Sequence, residues 1–304
     1  MADPILWLKS SNGLNNYVDS TRVAYDPRSG VVDLIESVNV VHDYTGEISR
    51  RLGFEATSVT LNCHSLFCDG GVCLFVAGTG LFILGGDYTK TGIRNVTEDA
   101  RMSYAQAGDK VYYLNGYEKG IVQNGVSVSW SKPNDVRYKD STRQYVGPPL
   151  GTIVRAFGSH ILIVKGSVLW YSEPFSPNVF DAVRGYISLP SKITMVRPVK
   201  QGVYLGTAAR TYFYRGLTPR EFTVENVSTF PVIERTDIEV DGANVVDGKL
   251  GTQTGAIWVG VDGVYFGNHE GTVFNLTRRK LTYPKALSGS GLYNGKEFRF
   301  TLEP

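Results

Sequence analysis

The sequence predicts an all-β protein. Its 304 residues include 34 glycines, 18 tyrosines and 14 phenylalanines but only 3 methionines, a composition typical of turns and aromatic-rich strands. Short apolar runs recur in pairs along the chain, and a tight turn joins the two runs of each pair. No amphipathic helical stretch between these pairs is long enough to cover a sheet, which disfavours a parallel α/β fold.

The paired runs predict five β-hairpins. They begin at Val72, Val111, Ile161, Val203 and Ile257. The runs are too short for helices and are rich in β-branched and aromatic residues, so each is predicted to be a strand. Eight Asn-Gly or Asp-Gly pairs along the chain supply the tight turns that hairpins need.

The apolar runs are continuous rather than alternating, which indicates strands that are covered on both faces. Because no helices are available, neighbouring antiparallel sheets must provide the cover. Sheets stacked around an axis meet this requirement, so we predict a β-propeller of about 5–6 antiparallel blades with roughly 40 to 45 residues per blade. An ordinary β-sandwich is the alternative.

Two segments lie outside the hairpin pattern. Residues 1–55 are predicted to form an extended N-terminal arm, followed by a propeller domain over 56–304. Residues 131–150 are polar and end in prolines, which predicts a loop that projects between blades. We expect the arm and this loop to carry contacts between subunits or between neighbouring rings. A strand at 297–302 is expected to pair with the arm and to close the ring.

The charge balance limits the classes of partner. Lys and Arg total 31 against 29 Asp and Glu, a net charge of +2, which argues against a protein that binds nucleic acid through its overall field. The first residues lack the basic and apolar regions of a secretory signal, and no apolar run approaches about 18 residues. We therefore expect neither a signal peptide nor a membrane span.

The three cysteines, Cys63, Cys68 and Cys73, are too few to form a disulfide framework that stabilises a domain of this size. Their spacing differs from the close cysteine pairs that are usual in zinc sites. We predict that Cys68 leads into a hairpin turn, and that Cys63 and Cys73 pack as small apolar side chains on its two strands.

The sequence contains no recognisable catalytic set. Its four histidines, His42, His64, His160 and His269, lie in different segments, and none belongs to a motif that would activate a serine or cysteine. His160 is expected to be a structural residue at the start of a strand. The acidic residues of 237–242 weakly resemble a calcium loop, but their alternation favours a solvated edge strand. We predict no catalytic residue, no cofactor, no metal site and no enzymatic activity.

Two basic clusters are candidates for contacts with phosphate groups or with another protein chain. The first is Arg50 with Arg51, and the second is Arg278, Arg279 and Lys280 with Lys285. The alternative for each cluster is a solvated turn or an ion-pairing surface. Neither cluster alternates with aromatic residues, as the surfaces of single-strand binders do.

Several segments together carry a family resemblance. They are Leu14-Asn15, 37–40, 46–53, 169–174 with Phe180, and Ile193 with 202–206, 211–216, 217–219 and Phe222. These segments include an arm centred on an asparagine, an Arg-x-Gly element, and a blade strand that leads into a Ser-x-Pro turn. In these features the chain resembles the β-propeller virion proteins of tailed bacteriophages.

The resemblance implies a structural virion component without an active site. Such a protein forms part of the tail hub or nozzle, continues the DNA channel, and helps to retain and deliver the packaged DNA. The expected partners are further copies of the chain in a symmetric ring, with a hexamer favoured, and a head–tail adaptor or connector with other tail proteins. Double-stranded DNA would pass without sequence-specific recognition. The protein would be made in the cytoplasm of the host bacterium and would reside in the phage tail.

The alternative function is a carbohydrate-binding or glycan-cleaving propeller, because aromatic-rich blades can present tryptophans to sugars. The candidate platforms are Trp130, Trp170 and Trp258. Trp170 and Trp258 lie inside apolar strand runs and are expected to belong to the core instead. Paired catalytic carboxylates leave no local spacing in a sequence, so a glycosidase stays open at this point.

Overall fold

The computed structural model describes residues 10–23, 25–26, 30–43, 45–53, 62–134, 142–242, 245, 254–295 and 297–304. Within these residues the regular structure is nearly all strand, with single 3-10 turns such as Ser20–Arg22 and Pro219–Glu221. The predicted all-β class is therefore confirmed. No helix in the described ranges combines the length and the apolar character needed to cross a bilayer.

The described part of the N-terminal arm contains five short strands. They are β1 (Ser10–Leu14), β2 (Tyr25–Asp26), β3 (Val31–Leu34), β4 (Val40–His42) and β5 (Ile48–Arg50). Strand β3 lies between β1 and β2, parallel to β1 and antiparallel to β2. Strands β4 and β5 form a separate antiparallel hairpin. The boundary predicted at residue 55 falls in the segment 54–61, outside the described residues.

Five antiparallel sheets follow the arm and form the blades of a β-propeller. Blade one contains β6 (Cys63–Asp69), β7 (Val72–Ala77), β8 (Gly80–Leu84) and β9 (Lys90–Asn95). Blade two contains β10 (Ser103–Ala107), β11 (Lys110–Leu114), β12 (Lys119–Gln123) and β13 (Val126–Val128). Blade three contains β14 (Tyr145–Val146), β15 (Ile153–Phe157), β16 (His160–Lys165), β17 (Val168–Glu173), β18 (Ser176–Asp181) and β19 (Tyr186–Ser188).

The last two blades have the simpler four-stranded form. Blade four contains β20 (Ile193–Val199), β21 (Gly202–Thr207), β22 (Thr211–Arg215) and β23 (Thr223–Ser228). Blade five contains β24 (Ile238–Asp241), β25 (Thr254–Gly260), β26 (Gly263–Gly267) and β27 (Val273–Asn275). A further hairpin follows, made of β28 (Ser288–Tyr293) and β29 (Phe298–Glu303).

All five predicted hairpins are confirmed, and each forms the two central strands of a blade. The turn chemistry agrees with the geometry at the β12–β13 hairpin, where Asn124 and Gly125 both have positive φ angles, +50° and +77°. Such a turn needs two left-handed residues in succession, which Asn-Gly adopts at the lowest steric cost.

The core lies between the blades rather than within a single sheet. In β11, Val111 and Tyr113 pack in a cluster with blade one, whereas Tyr112 and Leu114 pack in a cluster with blade three. Successive side chains of a strand point to opposite faces, so a strand between two sheets must be apolar at every position. This arrangement explains the continuous apolar runs of the sequence.

A separate C-terminal hairpin packs on blade five and reaches the connection between blades one and two. Its strand β28 lies beside the segment before β24, where the Gly289 amide donates to the Glu234 carbonyl at 3.0 Å. On its other side, Arg101 in the connection between blades one and two bonds to the Gly289 carbonyl and pairs with Glu303. The expectation that 297–302 pairs with the arm is wrong for the described strands, because β29 pairs with β28 instead.

Close packing at this hairpin depends on glycine. A Cβ atom on Gly291 would lie 2.5 Å from the Thr236 carbonyl oxygen, well inside a normal contact. Apolar residues of the hairpin pack against the blade-five core; they are Tyr293, Phe298, Phe300 and Leu302. The hairpin therefore supplies the neighbouring surface that blade five needs on its outward side.

The predicted loop at 131–150 is partly described. Residues 135–141 lie outside the described residues. After them, β14 pairs with β18, and Arg143 approaches Glu173 at 3.6 Å. The end of this segment thus attaches to the outer part of blade three.

The cysteine prediction is correct for the turn and wrong for the side chains. Cys68 and Cys73 face each other across the β6–β7 hairpin and form a disulfide. Cys63 is a free, exposed thiol. Directly opposed positions on antiparallel strands bring Cβ atoms within reach of a disulfide, so pairing replaces the apolar packing that was expected.

Candidate functional site

The arm is held by a buried polar pair and docks on the segment after blade five. Asn15 follows β1, and its side-chain amide donates to Asp33 Oδ2 on β3 at 2.8 Å; both residues are buried. The next residue, Asn16, exchanges hydrogen bonds with Thr282, donating to its carbonyl at 2.9 Å and accepting from its amide at 2.7 Å. These contacts fix β1 against the propeller.

The second basic cluster lies at this docking site. Lys280 donates from Nζ to the Asn12 carbonyl on β1 at 3.1 Å, so it has a structural role in holding the arm. Arg278, Arg279 and Lys285 are exposed in the connection between β27 and β28. Arg278 also lines an open cleft of about 520 Å³ between blades four and five.

The first basic cluster belongs to the arm itself. Arg50 ends β5 and is exposed, whereas Arg51 is half-buried and its backbone amide donates to the Asn39 carbonyl at 3.0 Å. Strand β1 contacts β4, the partner of β5. Both basic clusters are therefore connected to the arm, and no direct contact between them occurs among the described residues.

A charged cluster that the sequence analysis missed lies around the propeller axis. The first strands of blades one to four contact one another in succession, and β20 of blade four contacts β25 of blade five; in a propeller these inner strands surround the axis. Arg155 comes from β15 in blade three, Arg197 from β20 in blade four, and Asp237 immediately precedes β24 in blade five. Arg235, two residues before Asp237, lies close enough to interact electrostatically with Arg155. We call Arg155, Arg197, Arg235 and Asp237 the axial cluster.

Asp237 is the centre of the axial cluster. Its Oδ2 accepts from Arg197 Nε at 3.0 Å and Nη2 at 2.6 Å, and from Arg155 Nη2 at 3.3 Å. Arg155 Nη1 also donates to Ser103 Oγ in blade two at 2.9 Å. The side chain of Asp237 is 3% exposed, whereas those of Arg155 and Arg197 are 20% and 13% exposed. One buried carboxylate thus links blades three, four and five.

The electrostatics of the cluster follow from burial and from the mutual distances of the charges. Burial alone would raise the pKa of Asp237, but the charges and hydrogen bonds of Arg197 and Arg155 outweigh it and lower that pKa below 3.8. Burial, with repulsion from Arg197, lowers the pKa of Arg155 to about 10. Burial and the nearby Arg101 also lower the pKa of Arg235. Arg155 therefore stays charged at neutral pH.

His64 on β6 places an imidazole ring beside these cations. Burial first, and then the charge of Arg101, lower its pKa, and Arg235 contributes in the same direction. Ser65 Oγ accepts from the Met102 amide at 2.8 Å and lies 2.9 Å from His64 Nδ1. His64 Nε2 is buried and has no hydrogen-bond partner within the described part of the chain.

The sequence held a partial signal for the axial cluster. Arg155 and Arg197 each interrupt an otherwise apolar first strand, and an isolated cation in such a place requires a partner. The prediction of a solvated strand over 237–242 is right for Glu239 and Asp241, which are exposed, and wrong for Asp237, which is buried. The partners are distant in sequence and converge only because first strands meet at the axis.

Three residues that the sequence analysis singled out, His160, Trp130 and Trp258, are structural. His160 is buried, and its Nδ1 lies 2.7 Å from the Ser172 carbonyl, as expected for a structural histidine. Trp130 is 1% exposed, and its Nε1 donates to the Pro177 carbonyl at 3.2 Å. Its ring therefore has no free face for a sugar. Trp258 is buried against Tyr265, as expected of a core residue.

No protein-family profile matches the chain, and no curated protein matches it in sequence. Solved structures do match its fold. The extracellular domain of BT4673 from B. thetaiotaomicron has a TM-score of 0.51 at 13% identity, over 82% of this chain and 35% of that one. A streptogramin B lyase has a TM-score of 0.51 at 10% identity, over 86% and 83% of the two chains. BBS1N in complex with ARL6DN has a TM-score of 0.50 at 12% identity, over 87% and 86%.

These similarities establish the five-bladed β-propeller fold. This chain spans about a third of the first structure, whose matched share is 35%. At 10 to 13% identity a shared fold carries no shared activity. One of the similar propellers is a lyase, so the fold by itself is compatible with an enzyme.

Proposed function

We propose that this chain is a structural, non-enzymatic virion component of a tailed bacteriophage, and that it forms part of the tail hub or nozzle. The observation that carries the proposal is the set of roles that the residues of the family resemblance take in the fold. Several of them, including Ser172, Phe180, Gly216 and Phe222, occupy a turn, a close approach or a core position, and this agreement supports the proposal.

The Ser-x-Pro element illustrates this agreement in blade three. Ser172 ends the regular pairing of β17, where its hydroxyl accepts from the Ile161 amide at 2.9 Å. The chain then turns at Pro174 and returns as β18, which brings Phe180 into the core between blades two and three. The serine, the proline and the phenylalanine thus form a bend at the edge of the blade.

The corresponding segment in blade four has equally defined roles. Gly216 follows β22 with a φ of +146°, and a Cβ atom there would lie 3.1 Å from the Phe222 ring. Phe222 packs against Tyr214 and Phe157, with ring centroids 5.8 and 5.6 Å apart. Glycine is required at this position because the chain turns back closely over the aromatic ring.

In the proposed assembly the chain forms a symmetric ring, with a hexamer favoured, between a head–tail adaptor or connector and other tail proteins. The exposed cations Arg50, Arg278, Arg279 and Lys285 would contact a neighbouring subunit or the DNA that passes along the channel. A net charge of +2 suits a channel that must release DNA, because many phosphate contacts would make release strongly dependent on salt.

The solution mass of the purified protein, followed by negative-stain imaging of the same sample, tests the proposal. We expect a ring of defined stoichiometry with an axial opening, formed by the protein alone or on addition of a connector. A protein that stays monomeric with connector and tail partners present would contradict the proposal. Saturable binding on a glycan array by such a monomer would favour the carbohydrate-binding alternative.

Charge-reversal variants test the basic residues. We expect Arg278→Glu with Arg279→Glu to weaken ring assembly or binding of random-sequence duplex DNA, and to reduce the salt dependence of the DNA binding. The matched control is Lys165→Glu with Lys200→Glu, which changes two exposed lysines in hairpin turns of blades three and four. Equal effects of the two double variants would argue against a specific role for the cluster.

A further inference from the structure

The open cleft of about 520 Å³ between blades four and five is large enough for a small ligand. One side of it is formed by residues 226–230, where β23 ends and the chain leaves blade four. The other side contains Asp262 in the β25–β26 turn, Asn275 at the end of β27, and Arg278 shortly after it. Pockets that hold small molecules measure roughly 300–1,000 Å³, so the cleft lies within this range.

The apolar part of the cleft lining belongs to a packed core. Val227 and Val273 line the cleft, and both pack against the apolar cluster between blades four and five. Tyr265 also lines the cleft and is buried in the same cluster. A ligand would therefore meet a preformed surface, and binding would not have to order these side chains first.

Phe230 presents an aromatic ring at the cleft. Its backbone is held on both sides, because its amide donates to Ser228 Oγ at 3.2 Å and its carbonyl accepts from Thr211 Oγ1 at 3.2 Å. The residue is nevertheless 42% exposed. The fold thus positions this ring without using it in the core, and aromatic rings in such places commonly line ligand pockets.

Asp262 presents an oriented carboxylate to the same cleft. The Tyr265 hydroxyl donates to Asp262 Oδ1 at 2.6 Å, and Asn275 Nδ2 lies 3.4 Å from Oδ2. Burial, followed by the hydrogen bond and the charge of Asp262, raises the pKa of Tyr265, so this hydroxyl keeps its proton. Each oxygen of a carboxylate accepts up to two hydrogen bonds. Oδ2 therefore has capacity to accept from a ligand.

Opposite charges line the cleft without pairing. Arg278 is exposed, and the described residues include no ion pair between it and Asp262, although both line the cleft. A guanidinium group only donates hydrogen bonds, and a carboxylate only accepts them. A group that satisfies both must donate and accept, and a hydroxyl group does so.

We propose that this cleft binds a neutral sugar. Neighbouring hydroxyls of a sugar ring would pair with Asp262 and Arg278, while the C–H face of the ring packs on Phe230. The site is separate from Trp130 and Trp258, which are buried. The inference goes beyond the proposed virion role and does not depend on it, because that role assigns no function to Phe230 or Asp262.

Saturation-transfer NMR on the purified full chain tests the proposal. The probes are glucose, galactose, mannose, fucose and N-acetylglucosamine at millimolar concentration. We expect saturable transfer to at least one of them, strongest at the ring C–H protons that face Phe230. Absence of transfer to all of these sugars would overturn the proposal. Transfer to glucuronate or to free alanine, without transfer to a neutral sugar, would overturn it in favour of a charged ligand.

Variants assign the binding to the cleft. Phe230→Ala is expected to weaken sugar binding about 10-fold, the effect typical of an aromatic contact, and to keep the thermal midpoint because the ring is exposed. Phe230→Leu keeps apolar bulk and should give an intermediate affinity. Asp262→Asn is expected to weaken binding by about 10- to 100-fold, since it removes a charged acceptor. Asparagine still offers an oxygen to the Tyr265 hydroxyl.

The matched controls lie in exposed turns of blade two. They are Tyr117→Ala, which removes an aromatic side chain that is 68% exposed, and Asp109→Asn, which neutralises an exposed carboxylate. Both should bind the sugar normally. Binding that persists in the Phe230 and Asp262 variants, or that falls equally in the controls, would overturn the proposal. Ring assembly is measured separately by the solution mass, so a ring that binds no sugar would contradict this inference alone.

Discussion

Arg197 and Asp237 are joined by three hydrogen bonds, two to carboxylate Oδ2 and a third from Arg197 Nη2 to the Asp237 carbonyl at 2.9 Å. The two residues come from adjacent blades, and Arg155 reaches the same oxygen from a third blade. The propeller is thus held at its axis by a charged contact as well as by the apolar layers between its sheets.

Replacement of Asp237 by asparagine is expected to lower the free energy of unfolding by about 3–5 kcal/mol, because it leaves buried guanidinium groups without a counter-charge. Urea unfolding followed by circular dichroism measures this loss. The control is Glu225→Gln, whose exposed pair with Arg215 should be worth about 1 kcal/mol or less. Similar losses in both variants would show that the axial contact contributes no more to the free energy of unfolding than an exposed ion pair does.

The stability of the protein should also depend on Asp237 in acid. The pKa of this carboxyl is lowered in the folded state, so its contribution is fully present above its unfolded pKa of about 3.8 and is lost as the pH falls through the lower folded value. Urea unfolding at several pH values from about 5 to about 2 measures this loss. In Asp237→Asn that part of the acid dependence should be absent, and an unchanged profile would contradict its assignment.

Asn15→Asp should loosen the arm. The substitution puts a second carboxylate against the buried Asp33, and two like charges in contact without a counter-ion repel each other strongly. We expect faster proteolytic cleavage within residues 10–53, while the propeller keeps its melting midpoint. Asn12→Asp, at an exposed position of β1, is the control. Equal cleavage rates of the two variants would argue against the role of the Asn15–Asp33 pair.

Gly291→Ala should destabilise the C-terminal hairpin, since its Cβ would lie 2.5 Å from the Thr236 carbonyl oxygen. A loss of about 1–3 kcal/mol in the free energy of unfolding is expected for such overpacking. Gly86→Ala is the matched control, because nothing lies within 4 Å of its Cβ position. Urea unfolding of both variants compares them directly, and equal stability would mean that the hairpin can shift without cost.

The thiol content distinguishes the three cysteines. In protein purified without reductant and then denatured, we expect one reactive thiol per chain, that of Cys63, and three after reduction. Cys63→Ser should leave no reactive thiol before reduction. Three thiols in the unreduced protein would show that Cys68 and Cys73 face each other as free thiols.

The blades could be predicted from the sequence because a hairpin is a local structure. The runs that begin at Val111 and Val203, for example, contain both the strand residues and the turn that pairs them. The continuous apolar character of the runs also revealed their position between two sheets. At these positions the strands that pair are neighbours in the sequence, so the local pattern is sufficient to predict the pairing.

The axial cluster and the C-terminal hairpin could not be predicted in the same way. Arg155 and Asp237 are 82 residues apart, and no spacing rule connects them. Likewise, nothing in the strand 297–302 reveals that it pairs with β28 and packs on blade five. At the Cys68–Cys73 pair the turn was predictable, but the disulfide depends on a register that the turn length alone does not fix.

The packing of β28 and β29 on blade five has a consequence for how the chain folds during synthesis. Both strands follow all five blades in chain order, so a ribosome makes every blade before it makes the hairpin that covers the last one. Until then the apolar face of blade five, with Ile257 and Phe266, has no cover from the hairpin. At that stage of synthesis the nascent chain exposes this apolar face, and another chain could bind there in place of the hairpin.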